Sequence, residues 1–393
     1  MSTPPVPFGT YQYEIYLRGM AGETPEFPMS WADLEAQAGA ALDTGAHGYV
    51  WGGAGTEDTQ RENLEAFRRW RIVPRMLRDV GERDMRTTVL GTDMPAPLLL
   101  APVGVQSIIH PEGELATARA AGAIGVPMVA STASSFTLEE IAEAGGDAPR
   151  WFQLYWPRGD ELTASLVQRA EAAGYGAIEV TLDTWLLAWR PRDLQGAYLP
   201  FLQSVGIANY LADPVFRSTL ERTPEEDPQG AVGQFVGVFS NPTVTWDDLS
   251  ALRELTSLPI LLKGILHPDD AREARERGMD GIVVSNHGGR QVDGAVAALD
   301  ALPGVAGAVG DDLTIVLDSG VRCGADAAKA LALGADAVQL GRPYLWGLAL
   351  AGEDGVRTVL RNLLAELDLT LALSGLTHPS QLDRGTVERQ AAG

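Results

Sequence analysis

Pro259-Ile260-Leu261-Leu262-Lys263, Gly281-Ile282-Val283-Val284-Ser285, Leu313-Thr314-Ile315-Val316-Leu317 and Ala337-Val338-Gln339-Leu340 are four short runs, apolar almost throughout, at nearly regular intervals. Strands buried on both faces read this way, and such strands belong to parallel sheets. The pattern occurs four more times upstream, at Pro97-Leu98-Leu99-Leu100-Ala101, Pro127-Met128-Val129-Ala130, Trp151-Phe152-Gln153-Leu154-Tyr155 and Ala177-Ile178-Glu179-Val180-Thr181-Leu182. Helical patterns lie between them, among them Leu162 to Ala173, Pro268 to Arg277 and Ala325 to Leu333, with Gly174, Gly278 and Gly334 as their stops. Most runs start about 22–32 residues after the one before, which is one β-α unit per step, and eight such units close a barrel. The expected fold class is α/β, a (β/α)8 barrel.

One step is longer. Ala177 to Pro259 spans 82 residues and holds an insertion at roughly 191–245, with Tyr198, Phe201, Tyr210, Phe216 and a polar stretch Thr223-Pro224-Glu225-Glu226-Asp227-Pro228. A loop of that length in a compact domain is usually a lid or binding loop, and leaving the fourth strand's C-terminal end it should lie over the catalytic face. The first 95 residues read as a cap, with helices at Ser30 to Leu42 and Thr59 to Trp70 and then a short hairpin that plugs or caps the barrel. Residues 96–375 form the barrel and 376–393 a C-terminal tail.

The chain carries 52 acidic and 30 basic residues, for a net charge of −22, and 45% of its residues are hydrophobic. That composition suits a globular protein and opposes nucleic-acid binding, whose affinity comes largely from phosphate neutralisation. The local exception, Arg68-Arg69-Trp70-Arg71 with Arg75 and Arg78, reads as a solvated or ion-paired segment. No apolar run is long enough for a membrane span, and Met1-Ser2-Thr3-Pro4 does not begin a secretory signal, so a cytoplasmic protein is expected. The single cysteine, Cys323, excludes a disulfide framework or a multi-thiolate metal site, and no metal is expected. Only two of the basic residues are lysines, Lys263 and Lys329. A compact ammonium in an arginine-rich chain asks for a site where a planar fork would not serve.

Active sites of this fold stand at the C-terminal ends of the strands. Those ends carry Ala101-Pro102-Val103-Gly104, Ser131-Thr132, Gln153 with Tyr155, Thr181 and Asp183 followed by Arg190, then Lys263, Ser285-Asn286-His287-Gly288-Gly289-Arg290-Gln291, Asp318-Ser319-Gly320-Val321-Arg322 and Gly341-Arg342-Pro343. The last two loops suit a phosphate, because glycines expose backbone N–H groups, arginines add charge and a helix follows each. Of five histidines, His110, His267 and His378 precede proline and belong to turns. His287 follows a strand and is the candidate base, with Asp183 able to orient its imidazole and Arg290 able to take a carboxylate with two N–H groups.

The segment from Ser285 to Gln291 resembles the signature of the FMN-dependent α-hydroxy-acid oxidase/dehydrogenase family. Trp151 to Tyr155, Thr181-Leu182-Asp183-Thr184, Lys263-Gly264, Asp318 to Arg322 and Gly341-Arg342-Pro343 match in order. The resemblance implies FMN as cofactor, a small L-2-hydroxy acid as substrate, O2 as acceptor and a homo-oligomer, tetrameric or octameric. It implies that His287 takes the hydroxyl proton as hydride leaves for the flavin, with Asp183 stabilising the imidazolium. Arg290, Arg190 and Tyr49 would hold the carboxylate and Tyr155 the substrate oxygen. Lys263 would sit by the flavin N1 and O2, which answers the lysine question. Ala101, Pro102, Val103, Gly104, Ser131, Gln153, Thr181 and Ser285 would line the flavin. Asp318 would lie near the ribityl chain, with Gly320, Arg322, Gly341 and Arg342 at the phosphate.

Within the family, Trp185, the run Trp189 to Leu194, the insertion with Asn209-Tyr210 and Asp213 to Phe216, the run Lys263 to Ile265 before His267-Pro268, and Gly104 lean toward lactate 2-monooxygenase, which couples oxidation to decarboxylation. Gly104 stands where many relatives carry Ala, which means either more room over the flavin or a backbone requirement for glycine. The alternatives are an oxidase that releases 2-oxo acid and peroxide, or a mandelate-type enzyme, since Ala133 stands where some relatives place a bulky aromatic. A barrel using a cysteine nucleophile is disfavoured because Cys323 is misplaced, and a nicotinamide enzyme because Gly52-Gly53-Ala54-Gly55 has the wrong spacing. Retention of His287, Arg290 and Lys263 argues against a non-catalytic flavoprotein.

Overall fold

Eight parallel strands close a barrel in the computed structural model, which describes residues 6–390. Met1 to Pro4, read above for a signal, and the last three residues of the expected tail lie outside that range. In chain order the structure opens with α1 (Tyr11–Met20), α2 (Trp31–Ala41), α3 (Thr44–Trp51), α4 (Asp58–Arg68), β1 (Trp70–Ile72), β2 (Thr87–Val89) and β3 (Thr92–Met94). The barrel strands are β4 (Leu98–Leu100), β5 (Met128–Ser131), β6 (Arg150–Leu154), β7 (Ile178–Thr181), β8 (Ile260–Ile265), β9 (Gly281–Val284), β10 (Thr314–Leu317) and β11 (Ala337–Leu340). Each falls on one of the eight apolar runs. Between them run α5 (Gly113–Ile124), α6 (Leu138–Gly145), α7 (Asp160–Ala172), α8 (Pro191–Gln195), α9 (Ala208–Ala212), α10 (Pro214–Ser218), α11 (Pro228–Phe239), α12 (Leu249–Leu255), α13 (Pro268–Glu276), α14 (Ala298–Val309) and α15 (Gly324–Ala332). A final helix, α16 (Arg342–Leu373), breaks at Gly352, where φ is +56°. No helix among the described residues is long and apolar enough to cross a membrane.

Side chains alternate along a strand, so every second residue points inward. At the N-terminal end those inward residues are Leu99, Val129, Trp151, Ala177, Leu261, Val283, Val316 and Ala337, one per strand, packed as a closed apolar cluster. The hairpin of β2 and β3 seals this end, its Val89, Leu90 and Met94 packing on the cluster and Thr92 Oγ1 accepting a 2.9 Å bond from Trp151 Nε1. Its two-residue turn, Leu90-Gly91, has positive φ at both positions, which matches the twist of the flanking strands. Two residues further along, the inward set becomes polar: Ser131, Gln153, Glu179, Lys263, Ser285, Asp318 and Gln339, all buried. The same twofold period thus gives the barrel a dry floor and a polar upper interior.

The insertion is helical rather than an open loop. Asn209 anchors it, its Oδ1 accepting from Leu138 N at the start of α6 (2.7 Å) and its Nδ2 donating to Thr132 O (3.0 Å) and Ser134 Oγ (2.9 Å). Asp213 caps α10 and pairs with Arg169 of α7 at 3.0 Å. Tyr210, Phe216 and Phe235 bury their rings against one another.

The expected tail does more than trail. Val387–Arg389, here β12, pairs antiparallel with β1, and Arg384 and Arg389 lie over the Trp70 ring. The basic cluster around Trp70 is partly ion-paired: Arg68 with Glu65, and Arg69 with Glu62 and Asp300. Lys329 Nζ donates to Phe67 O (3.0 Å) at the end of α4, a point charge at a helix C-terminus.

Candidate active site

His287 sits just beyond β9 with φ +58°, followed by Gly288 and Gly289 at +64° and +78°. A left-handed histidine is strained unless its surroundings hold it. Here Ser285 Oγ accepts from His287 N (3.0 Å) and Ser319 Oγ from Gly288 N (2.9 Å). Below the loop, Asn286 and Asn63 of α4 exchange two amide hydrogen bonds of 2.7 and 2.8 Å, and Asn286 Oδ1 also accepts from Gly289 N. Gly289 has no room for a Cβ, which would lie 2.6 Å from Gln60 N. The cap helix therefore sets the His287 loop. Asn63→Ala leaves the Asn286 amide and Ala298 N short of partners, at about 2–3 kcal/mol of stability. Chemical denaturation should show that loss, together with slower cofactor reduction.

His287 Nδ1 lies 2.8 Å from Asp183 Oδ1, and Thr184 Oγ1 stands 3.1 Å from the same nitrogen and 2.9 Å from that oxygen. Burial pushes the Asp183 carboxyl up, but His287 and Lys263 outweigh it and bring it down to about 2. The carboxylate therefore accepts from Nδ1–H, leaving Nε2 without its proton and free to act as a base. Burial lowers the imidazole below its usual value, against the pull of Asp183. The neutral form is thus the resting one, with a carboxylate ready to stabilise the cation it becomes.

A cleft opens beside His287, with about 1130 Å³ of empty space counted out to its mouth. Of the expected residues, it brings together Tyr49, Ala101, Pro102, Val103, Gly104, Ser131, Tyr155, Arg190, Lys263, His287, Arg290, Asp318, Gly320, Arg322, Gly341 and Arg342. Asp183, Gln153, Thr181 and Ser285 stand behind this wall. Gln153 locks two of its neighbours, accepting from Ser131 Oγ (2.8 Å) and donating to Thr181 Oγ1 (2.9 Å). Ser285 Oγ takes Lys263 Nζ at 2.6 Å, and Asp318 pairs with that ammonium at 2.8 Å. Burial works to strip the Lys263 proton, but Asp318 and Asp183 hold it charged.

Four arginines face this cleft, and none makes an ion pair within the described residues. Arg290 donates to Gly52 O (2.7 Å) and lies over the Tyr49 ring at 5.1 Å, while Arg190 Nε donates to Arg290 O (2.9 Å). Burial, with Arg190 alongside, pushes Arg290 down to about 10. At the other end Arg342 donates to Val50 O (2.9 Å) and Gly288 O (3.0 Å). Arg322 lies 5.2 Å over the Trp346 ring, its Nε buried without a partner. Arg190 is buried and the other three are half-buried, and guanidinium groups so desolvated are costly without anions unless a ligand supplies the charge. The arrangement asks for two anions. One lies at the loops of Gly320 and Gly341, where α16 begins without a side-chain cap, and the other lies between Arg290 and Arg190. A phosphate and a carboxylate are anions of the kind these two places could take, and Lys263 lines the same cleft.

Of the two readings of Gly104, the backbone requirement holds. A Cβ there would lie 2.2 Å from Ala133 O, so the glycine answers a close backbone approach and does not signal open space. Several site residues were missed. Thr184 stands beside Asp183 in the motif itself. Gln291 ties the halves together, donating to Asp183 O (2.7 Å) and accepting from Arg190 Nη2 (2.5 Å). Phe201, Phe239 and Leu187 line the mouth, where no local pattern marks them. Of the three His-Pro histidines expected in turns, His110 precedes a turn, whereas His267 and His378 cap the starts of helical segments. Nδ1 of His110, His267 and His378 accepts from Glu112 N, Asp269 N and Ser380 N.

Residues 38–389 match the model of the FMN-dependent dehydrogenase family. An L-lactate oxidase of Lysinibacillus sphaericus is 46% identical over 365 residues, covering 93% of each chain. Human 2-hydroxyacid oxidase 1 is 43% identical, over 91% of this chain and 95% of its own. A crystal structure of mandelate oxidase superposes with a TM-score of 0.83 at 39% identity, covering 93% of this chain and all of the other. On the motifs, the cleft and these relatives, the chain belongs to the FMN-dependent α-hydroxy-acid oxidase/dehydrogenase family.

Proposed function

We propose that this enzyme oxidises L-lactate, or an L-2-hydroxy acid of similar size, with O2 as acceptor, and couples oxidation to decarboxylation. The observation that carries the reading is the His287–Asp183 pair, 2.8 Å apart, beside Arg290 and Arg190, neither of which forms a direct ion pair among the described residues, although Asp193 lies nearby. A 2-hydroxy acid offers a carboxylate to the arginines and a hydroxyl to the base. Tyr49, under Arg290, flanks the carboxylate. Tyr155 carries a phenol that burial, with Asp183 and Tyr49, pushes up to about 12, so it stays protonated and donates to the substrate oxygen. His287 Nε2 takes the hydroxyl proton, and Asp183 stabilises the imidazolium. Bound FMN supplies the two-electron acceptor for the α-hydrogen. Arg322 and Arg342 with Gly320 and Gly341 would hold its phosphate, Ala101 to Gly104, Ser131, Gln153, Thr181 and Ser285 its ring, Lys263 the N1 side and Asp318 the ribityl chain.

Phe201 and Phe239 of the insertion, with Leu187 and Ala133, make the remaining wall apolar and close over the cleft. An apolar wall suits a methyl side chain. Enclosure favours retention of the oxo acid while peroxide is present, so that hydroxy acid and O2 leave as a carboxylic acid one carbon shorter, CO2 and water. A second reading, release of 2-oxo acid with H2O2, is favoured by the names of the three relatives given above, all of which are oxidases.

The test is the visible spectrum of the purified holoenzyme under anaerobic L-lactate, followed by product analysis in air. Bleaching, then acetate and CO2, is expected. Pyruvate with stoichiometric peroxide selects the second reading, and an unbleached yellow protein that bleaches with L-mandelate excludes lactate.

A further inference from the structure

Within the polar upper interior of the barrel, one pair takes no part in the chemistry above. Glu179 of β7 and Gln339 of β11 come from strands on opposite sides of the eight-strand barrel, and neither is more than 1% exposed. Gln339 Nε2 donates to Glu179 Oε2. Glu179 Oε1 and Gln339 Oε1 are sealed from solvent and have no partner. An ionised carboxylate and an amide oxygen are both acceptors, so the two orphaned atoms share one deficit, a hydrogen to be donated. A proton on Glu179 provides it.

The charges around the pair agree. The groups facing Glu179 are Lys263 on β8, Asp318 after β10, Asp183 after β7 and Gln339. Lys263 is the one cation, and it already pairs with Asp318 at 2.8 Å. A third carboxylate charge in the same desolvated space would be surplus to it. Burial pushes the Glu179 carboxyl up to about 7, with Lys263 and Gln339 pulling the other way. Gln339 itself lines the cleft, so the pair reaches the floor on which the cofactor ring would rest.

We propose that Glu179 is a neutral carboxylic acid in the resting enzyme, hydrogen-bonded to Gln339, and that it is a positioning residue which leaves the Lys263 charge to Asp318 and the cofactor. Ionisation of Glu179 would place a negative charge beneath Lys263 and weaken its pull on electrons arriving at the ring. The proposal rests on the FMN reading of the cleft.

The experiment is the midpoint potential of bound FMN, measured from about pH 6 to about pH 9 in the wild type and in Glu179→Gln, a neutral isostere. The two should coincide at the acid end, with the wild type falling below the variant as pH rises through the Glu179 titration. A wild-type potential already below the variant's at the acid end, or curves superimposed throughout, would overturn the proposal. Should Glu179→Gln fail to fold, the infrared spectrum of the wild-type holoenzyme decides. A protonated-carboxyl band present at the acid end, lost at the alkaline end and shifted by Gln339→Met supports the proposal, and absence of that band at the acid end refutes it. A colourless protein that FMN cannot reconstitute would instead sink the cofactor reading, a separate outcome.

Discussion

Replacing His287 by Gln should leave a yellow protein that L-lactate bleaches about 10²–10⁴-fold more slowly than the wild type. Glutamine keeps the volume of the side chain but offers no site that takes up a proton at neutral pH. The loop should survive the change, because its geometry comes from Ser285, Ser319 and the Asn63–Asn286 amide pair. Stopped-flow reduction under anaerobic conditions measures the effect directly. Normal reduction in the variant would remove His287 from the role of base. The pH profile carries the same logic. The base works in its neutral form, and burial lowers the His287 titration below its usual value. Activity should therefore hold from neutral pH down past the ordinary histidine range and fall only where the imidazole gains its proton. That acid limb should disappear in His287→Gln.

Arg290→Met should reduce kcat/KM for L-lactate by about 10²–10³-fold, corresponding to the roughly 3–4 kcal/mol expected when one partner of a buried charged pair is removed. The residue donates to backbone carbonyls and forms no direct ion pair, and its neighbour Arg190 repels it more than the nearby Asp193 attracts it. Its charge is thus a cost to the free protein that the substrate offsets. The thermal midpoint of Arg290→Met should accordingly not fall below that of the wild type. Steady-state kinetics with a melting curve separates this from simple damage to the fold, which would lower both.

The barrel was legible in the sequence because each of its strands is buried on both faces, and a run such as Ile282 to Val284 carries that burial in its own composition. The motifs at the strand ends were legible for a related reason. The ends of the barrel strands converge on one face by topology, so His287, Asp183, Lys263 and the arginines could be grouped before any distance was known. Gln291 was quoted with its motif but not assigned, since its bonds run to Asp183 and Arg190 across a gap of about 100 positions. The insertion with Phe201 was expected over the catalytic face, but which of its side chains reach the cleft, Phe201 and Phe239 among them, was not legible, because a helical insertion turns back according to contacts such as those of Asn209, which local pattern does not express. Gly104 is the instructive case. Sequence offers a missing methyl group, and only the position of Ala133 O shows why it is missing.

Sequence alone determined the eight-fold β-α period and the polar and charged residues gathered at the strand ends. These follow from local burial and from a side-chain period of two. Tertiary structure decided the tautomer of His287, the absence of anionic partners for four arginines, the pairing of β1 with β12 and the meeting of Glu179 with Gln339 from opposite walls. Each of these depends on groups far apart in the chain approaching in a desolvated space. There a hydrogen bond or charge is worth far more than in water, and its partners are set by the closed barrel, not by neighbours in sequence.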